Sequence, residues 1–464
     1  MSDLLKHIYN ACDPIKPATA EYYLDCSAAR GSSALVQEFR YQLRRAEDQL
    51  CFLFSGHIGC GKSSELEALK SELSKPTATP RYFPVLLNVA EYLDDYDVAP
   101  SDIMLAIVTE LAAAMQNELG QALQEGFLHK RVRQFFERLT SDIAVSDVQL
   151  SQKIMGTDIK GKVTLLKRDP GAREKVREAY LPHLGSLVSE INEAFDEARL
   201  RLKQWRPPAG EQPYDDIVVL VDNLEKIQRI KGMEAGLPSQ RELFVERYAQ
   251  LTGMKAHLVY TAPLRLVRSA DGPKLTQRYG PLFVLPMVKV IERSTRKLFA
   301  PGRDCLRAML QKRIGNTALE KVFAPEALDL LLTYSGGHVR NLMTFVQNAS
   351  AYTEELPIAL DAARRARSQS VRTYSTSIPE SHWKKLVKLD QSHDQQIPGG
   401  DDEYLLMLEN LSVLEYINGG DSADASARDE PWYAVNPIVR ELQKFKALDK
   451  SPSTERKRKS PRGK

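Results

Sequence analysis

Cysteine and histidine are scarce in this chain, and neither is grouped. The five cysteines, Cys12, Cys26, Cys51, Cys60 and Cys305, form no C-x-x-C pair, and the eight histidines form no H-E-x-x-H or similar spacing. A structural metal is therefore not expected, and the thiols are expected to be free. No apolar run approaches the length of a membrane span, so no membrane partner is expected. The opening Met1-Ser2-Asp3-Leu4-Leu5-Lys6-His7 lacks the charged and apolar regions of a signal peptide, which points to the cytoplasm. No N-K-x-D motif is present, which disfavours a guanine nucleotide.

Net charge is also small, at +3, but it is unevenly placed. From Asp449 onward, seven Lys and Arg face only Asp449 and Glu455, a local +5, so residues 1–448 carry −2. The body is thus not a polyanion-binding surface by bulk charge. The tail 449–464, rich in Ser, Pro, Lys and Arg, reads as disordered, and either solubilises the chain or contacts nucleic acid. With 43% hydrophobic and 27% charged residues over 464 positions, the rest has the composition of about two to four globular domains.

The most informative segment is Gly56-His57-Ile58-Gly59-Cys60-Gly61-Lys62-Ser63, which fits G-x-x-x-x-G-K-S. It lies between the apolar run Leu50–Phe54 and a helical pattern that begins at Ser64. This strand, loop and helix order is the context that a phosphate-binding loop requires. Its glycines let backbone N–H groups turn toward a polyphosphate, and the following helix adds positive potential. Lys62 would neutralise the β- and γ-phosphates, and Ser63 would ligate Mg2+. The lysine has no partner visible in the sequence, so its removal should spare the fold. Cys60, inside the loop, is expected to be open to alkylation and protected by nucleotide.

Metal and water-activating carboxylates should follow on another strand. Asp216–Asp222 supplies one, with five consecutive apolar residues that read as a strand buried on both faces. Asp222 emerges at its carboxyl end, where open α/β sheets hold ligands, and can bind Mg2+ through water. Glu225 is the candidate for polarising the attacking water, with Asn223 as the weaker alternative and a helix-capping role for Glu225 still open. Runs at 82–89, 256–261 and 283–287 complete a doubly wound parallel sheet flanked by helices. Thr261, at a strand end before Ala262-Pro263, is placed to meet a γ-phosphate or the attacking water, or simply to end its strand.

Together with the later turn Ser335-Gly336-Gly337-His338-Val339-Arg340, this order of motifs resembles the AAA+ and STAND ATPases, especially origin-recognition-like and NACHT-like members. The resemblance covers roughly residues 20–445. It implies a P-loop ATPase using ATP and Mg2+, with residues 56–64, Ser64 included, as Walker A and Asp222 and Glu225 as Walker B. Thr261 would be sensor 1, and Arg340 sensor 2 on a helical lid. Arg278 would be the candidate arginine finger, in competition with Arg265, Arg268, Arg293 and Arg296. Asn223 stands where AAA+ motors carry an acid, which implies slow hydrolysis.

The expected organisation is a segment 1–49 leading into an ATPase core 50–292, a helical lid 293–377, a winged-helix-like module 378–448 and the tail 449–464. The stretch at about 100–210 is too long for a simple connection and reads as a helical insert. Within it, Ser101–Leu119 has helical spacing, 159–166 is strand-like, and a helix opens at Asp169-Pro170 and is kinked at Pro182. The wing tip carries Asp421, Asp424, Asp429 and Glu430 against Arg428, which argues against DNA reading by the wing.

The leading expectation is an ATP-dependent switch that oligomerises or engages an effector protein, with bacterial anti-phage defence as one setting the resemblance suggests. A DNA-associated loader or transposition-type ATPase, and a nucleotide-binding scaffold with little hydrolysis, remain as alternatives.

Overall fold

The computed structural model of the protein describes residues 3–32, 35–93, 98–119, 184–227, 237–418 and 430–450. The expected strand at 159–166, the helix start at Asp169, the Pro182 kink, the wing tip 419–429 and the tail beyond 450 lie outside them. Two compact units are present: residues 35–56 with 62–284, and residues 1–34 with 57–61 and 285–464.

The first unit is built on five strands, β1 (Cys51–Gly56), β2 (Tyr82–Asn88), β3 (Asp216–Asp222), β4 (His257–Ala262) and β5 (Leu282–Leu285), in the order β2-β3-β4-β1-β5. Strand β3 pairs in parallel with β2 and β4, and β4 with β1. Ile217 to Val221 are all fully buried, as a strand covered on both faces requires. The register sets Asn88 beside Asp222 and Phe54 beside Thr261, so the ends of β2, β3, β4 and β1 reach one edge of the sheet. Because β4 lies between β1 and β3, Thr261 stands between the strand feeding the phosphate loop and the strand ending in Asp222.

Helix Pro100–Glu118 begins with proline in its first turn, and Asp102 accepts the Ala99 N–H at 2.9 Å. It buries Ile103, Ile107, Leu111 and Met115 in the same core as Leu187, Ile191, Phe195, Ala198 and Leu202 of helix Leu184–Gln204. The described part of the insert therefore packs its apolar stripe inside this unit. Strand β5 is displaced from the expected 283–287: it stops at Leu285, and Met287 N–H instead donates to Glu415 O.

The second unit joins helix Asp3–Ala11 to helices Ala300–Ile314, Pro325–Ser335, Val339–Ala351 and Leu360–Ser377. Leu5 and Ile8 share a core with Leu306, Leu310, Leu342 and Val346. Residues 1–34 thus group with the C-terminal helices rather than forming a lead-in to the sheet. Helices His382–Gln391 and Asp402–Glu409 precede an antiparallel hairpin, β6 (Val413–Ile417) with β7 (Pro431–Val435), in which Tyr416 stacks on Trp432. Cys26 and Cys305 form a disulfide in this unit, while Cys12, Cys51 and Cys60 are free. This corrects the expectation of five free thiols: the two partners are 279 residues apart in sequence, and only the fold brings them together.

Candidate functional site

In the sheet unit, the ends of β1 and β3 and the start of helix Lys62–Leu73 bring four of the expected side chains together. Lys62, only 4% exposed, donates from Nζ to Gly56 O at 3.0 Å and pairs with Glu225 Oε1 at 3.0 Å. The lysine therefore has a buried partner, contrary to the expectation that its removal strands nothing. Ser63 hydrogen-bonds the Asp222 carboxylate. Ser64 follows on the same helix.

Glu225 is turned toward Lys62 by the backbone. Asn223, directly after β3, adopts the left-handed region at φ 65°, and the chain then winds into a short 3-10 turn, Leu224–Lys226. The Asn223 amide is tied to Asn88 Oδ1 at 2.8 Å, which gives it a supporting role at the end of β2. Thr261 pins the same turn. Its hydroxyl accepts Leu224 N–H at 2.9 Å and donates to Val221 O at 3.2 Å, and the side chain is fully buried. The hydroxyl is thus engaged with the backbone that positions Glu225 and lies within hydrogen-bond reach of the Glu225 carboxylate.

The two carboxyls are driven apart electrostatically. Burial raises the Asp222 carboxyl above its usual range and the neighbouring Glu225 charge adds to this, with the Ser63 hydrogen bond opposing. Burial, the largest single influence, would also raise Glu225, but the Lys62 ammonium and the hydrogen bonds from Lys62, Thr261 and the Glu225 backbone together outweigh it and hold the group below the ordinary carboxylate range. Glu225 Oε2 is buried without a hydrogen-bond partner among the described residues. Such an orphaned acceptor next to a cation is what a water-orienting base would present.

The middle of the loop, residues 57–61, belongs to the other unit, and its carbonyls are gripped from several sides. His338 donates from Nε2 to Ile58 O at 2.8 Å, Arg340 N–H donates to Gly59 O at 3.1 Å, and Arg30 Nη2 donates to Cys60 O at 2.8 Å. With these carbonyls held, the loop is braced on its acceptor side. Gly59, at φ 85°, approaches Arg340 so closely that a Cβ there would sit 2.8 Å from the arginine Cβ. His57 is buried between Leu408 O, 3.0 Å from Nδ1, and Glu415 N–H, which donates to Nε2 at 2.9 Å. The Arg340 guanidinium is turned to Pro14 O, at 3.1 Å from Nε.

Cys60 is fully buried, which removes the expected open thiol. Arg278 lies over the Tyr248 ring at 4.4 Å; Arg293 donates to Asp394 O, and Arg296 pairs with Asp390. Arg30, His338 and Asn88 were not singled out from the sequence. Only His338 had a local signal, as the residue between Gly337 and a new helix, where its ring caps Asn341 N–H.

Burial pushes the His338 imidazole down to about 3, helped by His57 and Arg340 and opposed by its bond to Ile58. An unfolded chain takes up that proton below its ordinary 6.5, whereas the folded one does not until about 3. Stability from this group is therefore complete above pH 6.5 and is lost as pH falls toward 3, by about 2 kcal/mol at pH 5. His257 and His382, also held low by burial, act in the same direction. His338→Asn should consequently narrow the gap in melting temperature between pH 7.5 and pH 5; an unchanged gap would contradict the assignment.

No family model matches the chain, and no curated protein matches it. Among solved structures it is similar to the Aeropyrum pernix Orc1 protein in complex with DNA, at 12% identity and a TM-score of 0.39, with 97% of each chain covered. No helix of the described residues is long and apolar enough to cross a membrane. Among those residues no three His, Cys, Asp or Glu side chains are grouped so as to hold a metal ion.

Proposed function

We propose that the chain is a Mg2+-dependent ATPase that works as a molecular switch of the AAA+/STAND kind. The observation that carries this reading is the buried Lys62–Glu225 pair, with Ser63 and Asp222 hydrogen-bonded beside it, at the carboxyl edge of a parallel sheet. A triphosphate on residues 56–64 gives Lys62 a stronger anion than Glu225. Once the lysine turns to phosphate, Glu225 loses the charge that holds it low, and burial makes it a better proton acceptor for the attacking water. Thr261, and Asn223 through Asn88, keep the carboxylate in place. The base is thereby quenched until substrate arrives.

Ser63 and Asp222 would hold Mg2+, which supplies charge neutralisation at the phosphate oxygens. A hydroxyl and a carboxylate are hard oxygen donors suited to that ion, and with only two protein ligands the remainder would be phosphate and water. Arg340 is proposed as the lid residue that responds to nucleotide, with its guanidinium leaving Pro14 O. Oligomerisation or capture of an effector would follow, and bacterial defence against phage is one setting that the resemblance to STAND ATPases implies.

Mass measured by size-exclusion chromatography with light scattering tests the switch. The expected result is a change in assembly between ADP and a non-hydrolysable ATP analogue, with no change on adding duplex DNA. Identical mass in both nucleotides would remove the switch, and a DNA-dependent shift would favour the loader.

A further inference from the structure

We propose that the Cys26–Cys305 disulfide is a redox control on Arg30, and that Arg30 is a positioning residue for the phosphate loop. The proposal rests on the triphosphate reading of that loop for its consequence, though not for its geometry. Arg30 ends the four-residue helix Ser27–Arg30, which is closed by Gly31 in the left-handed region at φ 77°. The residue is 3% exposed, and its guanidinium bridges two backbone carbonyls, Cys60 O at 2.8 Å and Pro286 O. The loop glycine beside it, Gly61, would place a Cβ 3.5 Å from Nη2. One side chain thus fixes the loop carbonyl that lies two residues before Lys62.

This seat is weakly secured by hydrogen bonding alone. The Arg30 Nε–H is buried with no partner among the described residues, and burying a guanidinium with an unmatched donor is costly. A four-residue helix supplies little stability of its own. What anchors it is covalent: Cys26 immediately precedes the helix and is bonded to Cys305 on helix Ala300–Ile314. Two smaller ties assist, Asp25 accepting Ser27 N–H at 2.9 Å and Lys289 N–H donating to Ala29 O at 3.2 Å.

Cys305 is half-buried and Cys26 is 2% exposed, so a dithiol reductant would reach the Cys305 sulfur first. Its thiolate attacks there, the S–S bond breaks and Cys26 leaves as a thiolate. The second reductant sulfur then displaces Cys305 from the mixed disulfide. Two electrons and two protons end on Cys26 and Cys305 as thiols, and the reductant becomes a disulfide. Freed of its tether, the turn carrying Arg30 loosens, and the loop loses part of its preorganisation for phosphate.

The test uses full-length protein, with thiol counting under denaturing conditions, Mg2+-ATP titration and hydrogen exchange of the loop amides. Oxidised protein should show three thiols and reduced protein five, matching Cys12, Cys51 and Cys60 with and without the pair. Reduction should weaken Mg2+-ATP binding by roughly tenfold, near the lower end of what one charge-assisted hydrogen bond contributes because the bond is loosened rather than removed, and speed exchange in residues 57–61. Cys26→Ser/Cys305→Ser should behave like the reduced protein in both conditions. Arg30→Ala should bind weakly and ignore the reductant, with Arg30→Lys intermediate. Five thiols under oxidising conditions would overturn the proposal, as would loop exchange that ignores reduction, or a redox response that survives in Arg30→Ala. If oxidised protein binds no Mg2+-ATP, the triphosphate reading fails, while the exchange data still decide whether the disulfide governs the loop.

Discussion

Lys62→Ala is expected to lose triphosphate binding and, in the same variant, to lower the melting temperature of the nucleotide-free protein. The first effect follows from removing a charge-assisted contact to phosphate, worth about 2–3 kcal/mol, or roughly 30- to 150-fold in affinity. The second follows from Glu225, which would be left buried without its cation, with Oε2 already unpartnered among the described residues. Breaking one side of a buried pair typically costs about 3–5 kcal/mol, less whatever the carboxyl recovers by taking up a proton. Adding Glu225→Gln to Lys62→Ala should therefore restore much of the melting temperature and none of the binding. Independent, additive losses in the double variant would mean that the two side chains do not act as a pair.

Glu225→Gln alone should behave in the opposite way: binding retained or tightened, turnover lost. The amide keeps a hydrogen-bond acceptor for Lys62 but no longer holds it by charge, so phosphate meets less competition. Without a carboxylate near the attacking water, steady-state hydrolysis should fall about 10²- to 10⁴-fold. Asn223→Ala, which removes the tie to Asn88, should reduce turnover far less. If Asn223→Ala abolishes hydrolysis while Glu225→Gln does not, the base has been misassigned.

The sheet was legible because its strands are short apolar runs ending in turn residues, and Ile217–Val221 could hardly be anything but a strand covered on both faces. The hairpin β6–β7 was legible for a similar reason, as two short runs rich in aliphatic and aromatic residues on either side of a polar stretch. Strand β5 was overextended because Pro286-Met287 continues the apolar pattern, while the backbone bond of Met287 to Glu415 comes from a distant segment. Pairings across long separations left no local trace: Lys62 with Glu225, Cys26 with Cys305, and Arg30 with Cys60. Thr261 shows the same limit at the level of one side chain. Periodicity places it at a strand end, but only the neighbouring strand determines that its hydroxyl serves Val221 and Leu224. The reading of Cys60 as accessible failed because its position in the loop says nothing of what covers it.

Exchange of Glu225 for phosphate by Lys62 should be visible in a crystal structure of the full chain grown with Mg2+ and a non-hydrolysable ATP analogue. The expected result is Lys62 Nζ within hydrogen-bond reach of the β- and γ-phosphate oxygens and separated from Glu225, with the carboxylate facing a water in line with the γ-phosphate. An intact Lys62–Glu225 pair, with the nucleotide bound elsewhere or not at all, would contradict it.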